Sequence, residues 1–141
     1  MKPGTDFIGI GAGALIFNDA GEVLLMKRGK NAKNEVGHYT IPGGSIEFGE
    51  KLSDGVKREV REEIGCEIDI DGQLPAIDHI IPGEKQHWVT TIFTCRIKSG
   101  IPKILEKEKC DEMGWYSLSN LPSPLSSSVK NTLENFYSLS E

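Results

Sequence analysis

The chain is poor in cysteine. Its 141 residues hold three, Cys66, Cys95 and Cys110, odd in number, far apart and never in a CxxC pair. That spacing excludes a zinc knuckle and a disulfide framework, and reads instead as free, packed thiols in a reducing cytoplasm. Basic charge is also short: Lys plus Arg is 16 against 21 Asp plus Glu, a net charge of −5. An acidic chain is not built to hold a nucleic acid polymer or an anionic membrane. No apolar run approaches the ~18 residues that span a bilayer, and the start, Met1 to Asp6, lacks the apolar stretch of a secretory signal. Internal repeats, low-complexity tracts and linkers are missing as well. What remains is 38% hydrophobic and 26% charged, the balance of a globular chain with one real core. The length fits one domain over residues 1–141.

Local patterns give a mixed α/β (α+β) reading. Residues 11–17 read as a strand. Asn18 to Gly21 is a turn, and Val23 to Lys27 reads as the hairpin partner. Residues 28–38 are polar and Gly/Asn-rich, a surface loop. Tyr39 to Ile41 is a short strand, ended by Pro42-Gly43-Gly44. Further strands are expected at 67–70, 76–81, 88–97 and 115–118, with a charged loop over 103–111. A helix is expected over 52–64, stopped by Gly65, and another over 127–138 with Val129, Leu133, Phe136 and Tyr137 on its core stripe.

The first helix carries the chemistry. With Glu59 at zero on a helical wheel, Glu63 falls at about 40° and Glu62 at about −60°. Val56, Val60 and Ile64 form an apolar stripe beside them. Clustered carboxylates raise one another's pKa unless a cation intervenes. Glu59 and Glu63, four residues apart, are spaced to share a hard cation such as Mg²⁺ or Mn²⁺. Arg58 sits one turn before Glu62 and is placed to pair with it. Gly55 costs the helix about 1 kcal/mol relative to Ala; room for water or a phosphate beside Glu59 would account for it.

Gly44, Glu50, Arg58, Glu59, Val60, Glu62, Glu63 and Gly65 stand in the spacing G-x5-E-x7-R-E-U-x-E-E-x-G-U, with U aliphatic, and Cys66 fills the last position. The segment 44–66 thus resembles the Nudix box, and the chain more loosely resembles the small MutT-like Nudix hydrolases from first strand to last helix. The resemblance implies an α/β/α sandwich: a mixed central sheet, the box helix on one side and a C-terminal helix on the other. It implies hydrolysis of a pyrophosphate linkage with Mg²⁺, or Mn²⁺ as substitute. Glu59 and Glu63 would be the principal metal ligands, and Glu62 a further ligand or the base that activates water. Arg58 would orient the glutamates, and Gly43 or Gly44 would offer a backbone carbonyl. Glu50 would support the turn or contact a water. Bound metal would invert the sign of the acidic face, so an anionic substrate is not repelled. An alkaline optimum follows.

Outside the box, Lys27 and Arg28 end a strand where relatives contact phosphates; Arg28, with its planar fork, is the stronger candidate. Glu106 and Glu108 lie where relatives supply one more acidic ligand, and Glu108 is the expected one. Trp115, Trp88 and Phe48 offer stacking surfaces but read first as packing. His38, His79 and His87 share no spacing and read as local hydrogen-bond partners. Four stretches, at 46–50, 86–90, 108–110 and 121–122, look closest to nucleoside triphosphate diphosphatases. The Ser123-Pro124-Leu125-Ser126 stretch lacks an Asn associated with oxidised-guanine enzymes, which weakens that substrate. The leading expectation is cleavage of a nucleoside or deoxynucleoside triphosphate to monophosphate and pyrophosphate. ADP-ribose or a nucleotide sugar is the alternative substrate class, and a non-catalytic nucleotide-binding module the alternative function. Base preference and the choice between monomer and homodimer stay open.

Overall fold

The computed structural model describes residues 1–32 and 34–140; residue 33, inside the expected 28–38 loop, and residue 141 lie outside the described residues. The strands are β1 (Gly9–Ile16), β2 (Val23–Arg28), β3 (Tyr39–Thr40), β4 (Gly43–Ser45), β5 (Glu67–Gln73), β6 (Ile77–Ile81), β7 (Gln86–Ser99) and β8 (Cys110–Tyr116). The helices are α1 (Leu52–Ile64) and α2 (Ser127–Ser140), and a 3₁₀ turn spans Pro82–Glu84. One sheet runs β4-β1-β7-β5, with β6 also on β7; a second runs β3-β2-β8. β1 and β7 are parallel and the remaining pairs antiparallel.

Alternation sorts the core into two layers. Ala12, Ala14 and Ile16 of β1, Leu24 and Met26 of β2, and Phe93 and Cys95 of β7 meet Val56, Val60 and Ile64 of α1. The opposite faces of the same strands send Leu15, Val23, Leu25 and Ile92 against Val129 and Leu133 of α2. The helices therefore cover opposite sides, the mixed sandwich expected. Val56, Val60 and Ile64 are fully buried, each contributing roughly 1.5–3 kcal/mol of transfer free energy.

Helix α1 matches its expected bounds. Gly65 ends it in the left-handed region at φ 71° and donates its N–H to the Arg61 carbonyl. Two more carbonyls of the last turn are satisfied from far along the chain: Leu105 N–H reaches Glu63 O and Lys103 N–H reaches Ile64 O, both at 3.1 Å. This backbone tie delivers the residues after Leu105 to the side of Glu63.

Several local expectations change. The Asn18–Gly21 turn forms, with Asn18 Oδ1 accepting the Ala20 and Glu22 amides, but β1 and β2 are not a hairpin. They share a single bridge, Phe17–Val23. The other edges of β1 are taken by β4 and β7, so the turn passes the chain from one sheet to the other. The last strand is Cys110–Tyr116 rather than 115–118, because pairing with β2 recruits the acidic stretch that alone reads as loop. On α2, Tyr137 is 45% exposed and Thr132 is fully buried in its place. The Thr132 hydroxyl donates to Ser128 O at 2.7 Å, which removes the cost of burying it.

Candidate active site

The box residues converge where β4 passes the flank of α1. Arg58 is the hub. Its Nε and Nη2 donate to the two oxygens of Glu50 at 2.7 and 3.0 Å. Nη1 donates to Glu59 at 3.0 Å and to Glu62 at 3.3 Å, and Nη2 also to the Ser45 carbonyl at 3.1 Å. Glu47 joins at 3.8 Å and donates its N–H to Glu50 Oε1 at 3.0 Å. One guanidinium thus ties the β4 end, the turn before α1 and the carboxylate ridge together. It holds the Glu50 carboxyl down at about 2. The box helix and turn are therefore braced by Glu50, the turn-supporting role open in the sequence.

Glu59 and Glu63 are the chemically unusual pair. Glu59 is only 14% exposed. Burial pushes its pKa up against the pull of Arg58. Glu63 is raised well above the ordinary carboxylate range, by burial first and by the Glu59 charge second. Its oxygens accept the Gly43 amide at 3.3 and 3.4 Å, and its carboxyl is within hydrogen-bonding reach of Glu59. Glu62, by contrast, is 52% exposed. The glycines make the approach fit. A Cβ on Gly44 would lie 2.5–2.6 Å from the Glu59 carboxyl, and one on Gly43 would strike Ala12 O at 2.4 Å. At Gly55 a Cβ would meet Ile46 at 2.4 Å and Glu50 Oε1 at 2.9 Å. That glycine makes room for Glu50 and Ile46, not for water or phosphate beside Glu59, which corrects the expectation.

Among the described residues no three Asp, Glu, His or Cys side chains form a ready cage for a metal ion. The donors that do converge are Glu59 and Glu63, two partly buried carboxylates whose pKa values desolvation raises, Glu59 against the pull of Arg58 and Glu63 with the Glu59 charge adding to it. That set suits Mg²⁺, which is commonly held by one or two carboxylates and completes its shell with water and substrate phosphate.

Residues outside the box separate. Arg28 is the cross-strand neighbour of Cys110. Cys110 lies in the α1-side core, as do Leu24 and Met26, which alternate with Arg28 along β2, so Arg28 leaves the strand on the face that α1 covers. Lys27 points to the other side, paired with Glu112 at 3.3 Å, which holds its ammonium above the ordinary value. Tyr39 OH donates to the same Glu112 at 3.4 Å. Of the two loop glutamates, Glu106 is the one whose charge acts on Glu63; Glu108 is exposed. Sequence spacing carries no sign of this, because the Leu105–Glu63 backbone bond that sets it is long-range. Trp115 packs on the α1-side core. A Cβ on Gly4 or Gly9 would collide with the Trp88 ring, so that indole is wedged by backbone. Phe48 is fully exposed. The histidines make single contacts: His38 with Val36 O and His87 with Asp78 nearby in the chain, and His79 with Ser127 on α2, a partner distant in sequence.

A braced acidic helix thus lies beside a Gly-Gly strand in a two-sided sandwich. The NUDIX domain model matches residues 8–136, and the chain belongs to that family. It is similar to human 8-oxo-dGDP phosphatase NUDT18, 29% identical over 114 residues covering 79% of this chain and 33% of the relative. It is likewise similar to the ADP-ribose pyrophosphatase of Methanocaldococcus jannaschii, 29% identical over 101 residues, 72% of this chain and 57% of that one. The chain thus spans about a third of the length of the human relative. Among solved structures, a MutT NUDIX hydrolase from Burkholderia pseudomallei superposes with a TM-score of 0.86 at 32% identity, covering 92% of this chain and 98% of that one. A MutT protein from Methanosarcina mazei Go1 gives 0.82 at 25% identity, over 95% and 96%.

Proposed function

We propose that this chain is a pyrophosphohydrolase that cleaves a phosphoanhydride bond in a nucleoside or deoxynucleoside triphosphate, releasing the monophosphate and pyrophosphate. The observation that carries the reading is the partly buried Glu59–Glu63 pair, Glu59 held by Arg58 and Glu63 by the Gly43 amide, beside the Gly43-Gly44 backbone. Glu59 and Glu63 would hold Mg²⁺, with Mn²⁺ as substitute, and Glu106 rather than Glu108 would be the loop carboxylate beside them. When bound, the cation neutralises phosphate charge and activates the attacking water. Gly43 and Gly44 present backbone without side-chain bulk, so a phosphate chain can approach the carboxylates. Glu62, the exposed member, accepts the proton of the attacking water on a carboxylate oxygen. Arg58 keeps Glu59 and Glu62 on one ridge, and Arg28 contacts substrate phosphate. Water adds to one phosphorus as the bridging oxygen leaves with the other. The three free, buried thiols suit a reducing cytoplasm.

ADP-ribose is the second reading, supported by the archaeal relative's name; 8-oxo-dGDP belongs beside it because of the human one. A panel of nucleoside triphosphates, 8-oxo-dGDP and ADP-ribose, with Mg²⁺ or with chelator and with product identification, decides among them. Glu59→Gln should lower turnover by about two or more orders of magnitude while the fold persists. Hydrolysis at the wild-type rate by that variant would remove Glu59 from the mechanism. Metal-dependent nucleotide binding without cleavage of any substrate would favour a non-catalytic module.

A further inference from the structure

The guanidinium of Arg28 is not loose at its strand end. Nε donates to the Asn34 carbonyl at 2.9 Å and Nη2 to Asn34 Oδ1 at 3.0 Å. The amide is held from its other end too, because Asn34 Nδ2 donates to Glu84 Oε2 at 3.2 Å, in the 3₁₀ turn. A cation at the oxygen and an anion at the nitrogen fix which way the amide faces. The next residue is anchored separately. Glu35 takes φ 46°, a conformation few glutamates adopt, and its carboxylate accepts both the Ser127 amide at 2.9 Å and the Ser127 hydroxyl at 3.1 Å.

We propose that Asn34 is a positioning residue for phosphate binding: it occupies the Nε/Nη2 edge of Arg28 and so presents the remaining Nη1 side of the fork to the substrate. This rests on Arg28 as the phosphate contact. Without the Asn34 side chain Arg28 keeps only the Nε bond to the backbone carbonyl, the Nη2 end of its fork is released, and each binding event must order that end again. Glu84 and the Glu35–Ser127 anchor hold Asn34 in place; neither meets substrate.

The test compares Arg28→Ala, Asn34→Ala and Asn34→Asp combined with Glu84→Gln. The readouts are KM and kcat on the best panel substrate, and calorimetric binding of inorganic pyrophosphate with Mg²⁺, which needs no turnover. Arg28→Ala should weaken pyrophosphate binding and raise KM. Asn34→Ala should raise both constants by roughly five- to tenfold, the scale of one charge-assisted hydrogen bond, with kcat within about twofold. Asn34→Asp keeps the acceptor but turns a carboxylate oxygen toward Glu84, so it is combined with Glu84→Gln, whose amide donates back, and that double variant should restore most of the loss. If Arg28→Ala changes neither constant, Arg28 is not the phosphate contact and the inference falls with it. If Arg28→Ala weakens binding but Asn34→Ala does not, or tightens it, the positioning role is wrong while the phosphate contact stands. If no substrate turns over, the hydrolase reading fails, and pyrophosphate binding still decides the role of Asn34.

Discussion

Two adjacent glycines should respond to alanine in opposite ways. At Gly44 the new methyl would lie 2.5 Å from Glu59 Cδ and 2.6 Å from both carboxylate oxygens. The obstacle is the end of a flexible side chain, so the fold survives and Glu59 moves. Restoring ordinary contact takes a displacement of about 0.8 Å. A misplacement of that size in a reacting constellation costs on the order of a hundredfold in rate, or about 2.7 kcal/mol of barrier. At Gly43 the methyl would instead strike Ala12 O at 2.4 Å and Gly13 Cα at 2.7 Å. Those atoms belong to β1, the strand paired to β4 through Gly13–Gly43, and a strand cannot step aside alone. Overpacking against backbone costs about 1–3 kcal/mol, or several degrees in melting temperature for a domain of this size. Gly44→Ala should therefore keep its melting temperature within about 2 °C and lose activity, whereas Gly43→Ala should melt visibly earlier. The assay is kcat/KM with saturating Mg²⁺ on the panel substrate, beside a thermal melt. Full activity in Gly44→Ala would refute the claim that the placement of Glu59 matters. An unfolded Gly44→Ala beside an unperturbed Gly43→Ala would refute the reading of which atoms each glycine spares.

The pH dependence of stability follows from the raised carboxyl of Glu63. Its folded pKa exceeds its unfolded value, so the folded state binds the extra proton and metal-free stability falls as pH rises through the window between the two. Glu63→Gln should remove that slope and be the more stable protein toward about pH 8 in chelator; denaturant melts of both proteins that stay parallel across pH would contradict it. Glu50 acts in the opposite sense. Its pKa is held at about 2 by Arg58, so its contribution is present above the ordinary carboxylate value and is lost as pH falls through about 2, which an acid-unfolding comparison with Glu50→Gln reads. Glu106→Gln should weaken Mn²⁺ binding several-fold in a calorimetric titration while Glu108→Gln leaves it unchanged, because only Glu106 acts electrostatically on Glu63; the reverse ranking would restore Glu108.

The box helix was legible in the sequence because its determinants are local. Period, stop signal and carboxylate spacing all lie within residues 52–65, and the helix forms with those bounds. The two-sided packing was legible for a similar reason, since each helix shows its apolar stripe in local spacing, Val56, Val60 and Ile64 on one and Val129 and Leu133 on the other. What failed was long-range. Nothing in residues 11–27 says that β1 pairs in parallel with β7 while β2 joins another sheet; strand partners are chosen by edges contributed from elsewhere in the chain. The exposure of Tyr137 was missed for a different reason: a threonine whose hydroxyl bonds back to Ser128 O, one turn away, can be buried, so residue type alone did not mark Thr132 as the core position.

The sequence by itself determined the carboxylate ridge and the arginine one turn before Glu62, because each is a matter of residue type at helical spacing; Gly43 and Gly44 entered only through the family resemblance. Tertiary structure alone decided how those charges are valued. Burial raised Glu63, a backbone tie from Leu105 chose Glu106 over Glu108 as its neighbour, and Asn34 set the face of Arg28. Desolvation and contact between distant segments are properties of a packed interior, and no local pattern encodes them.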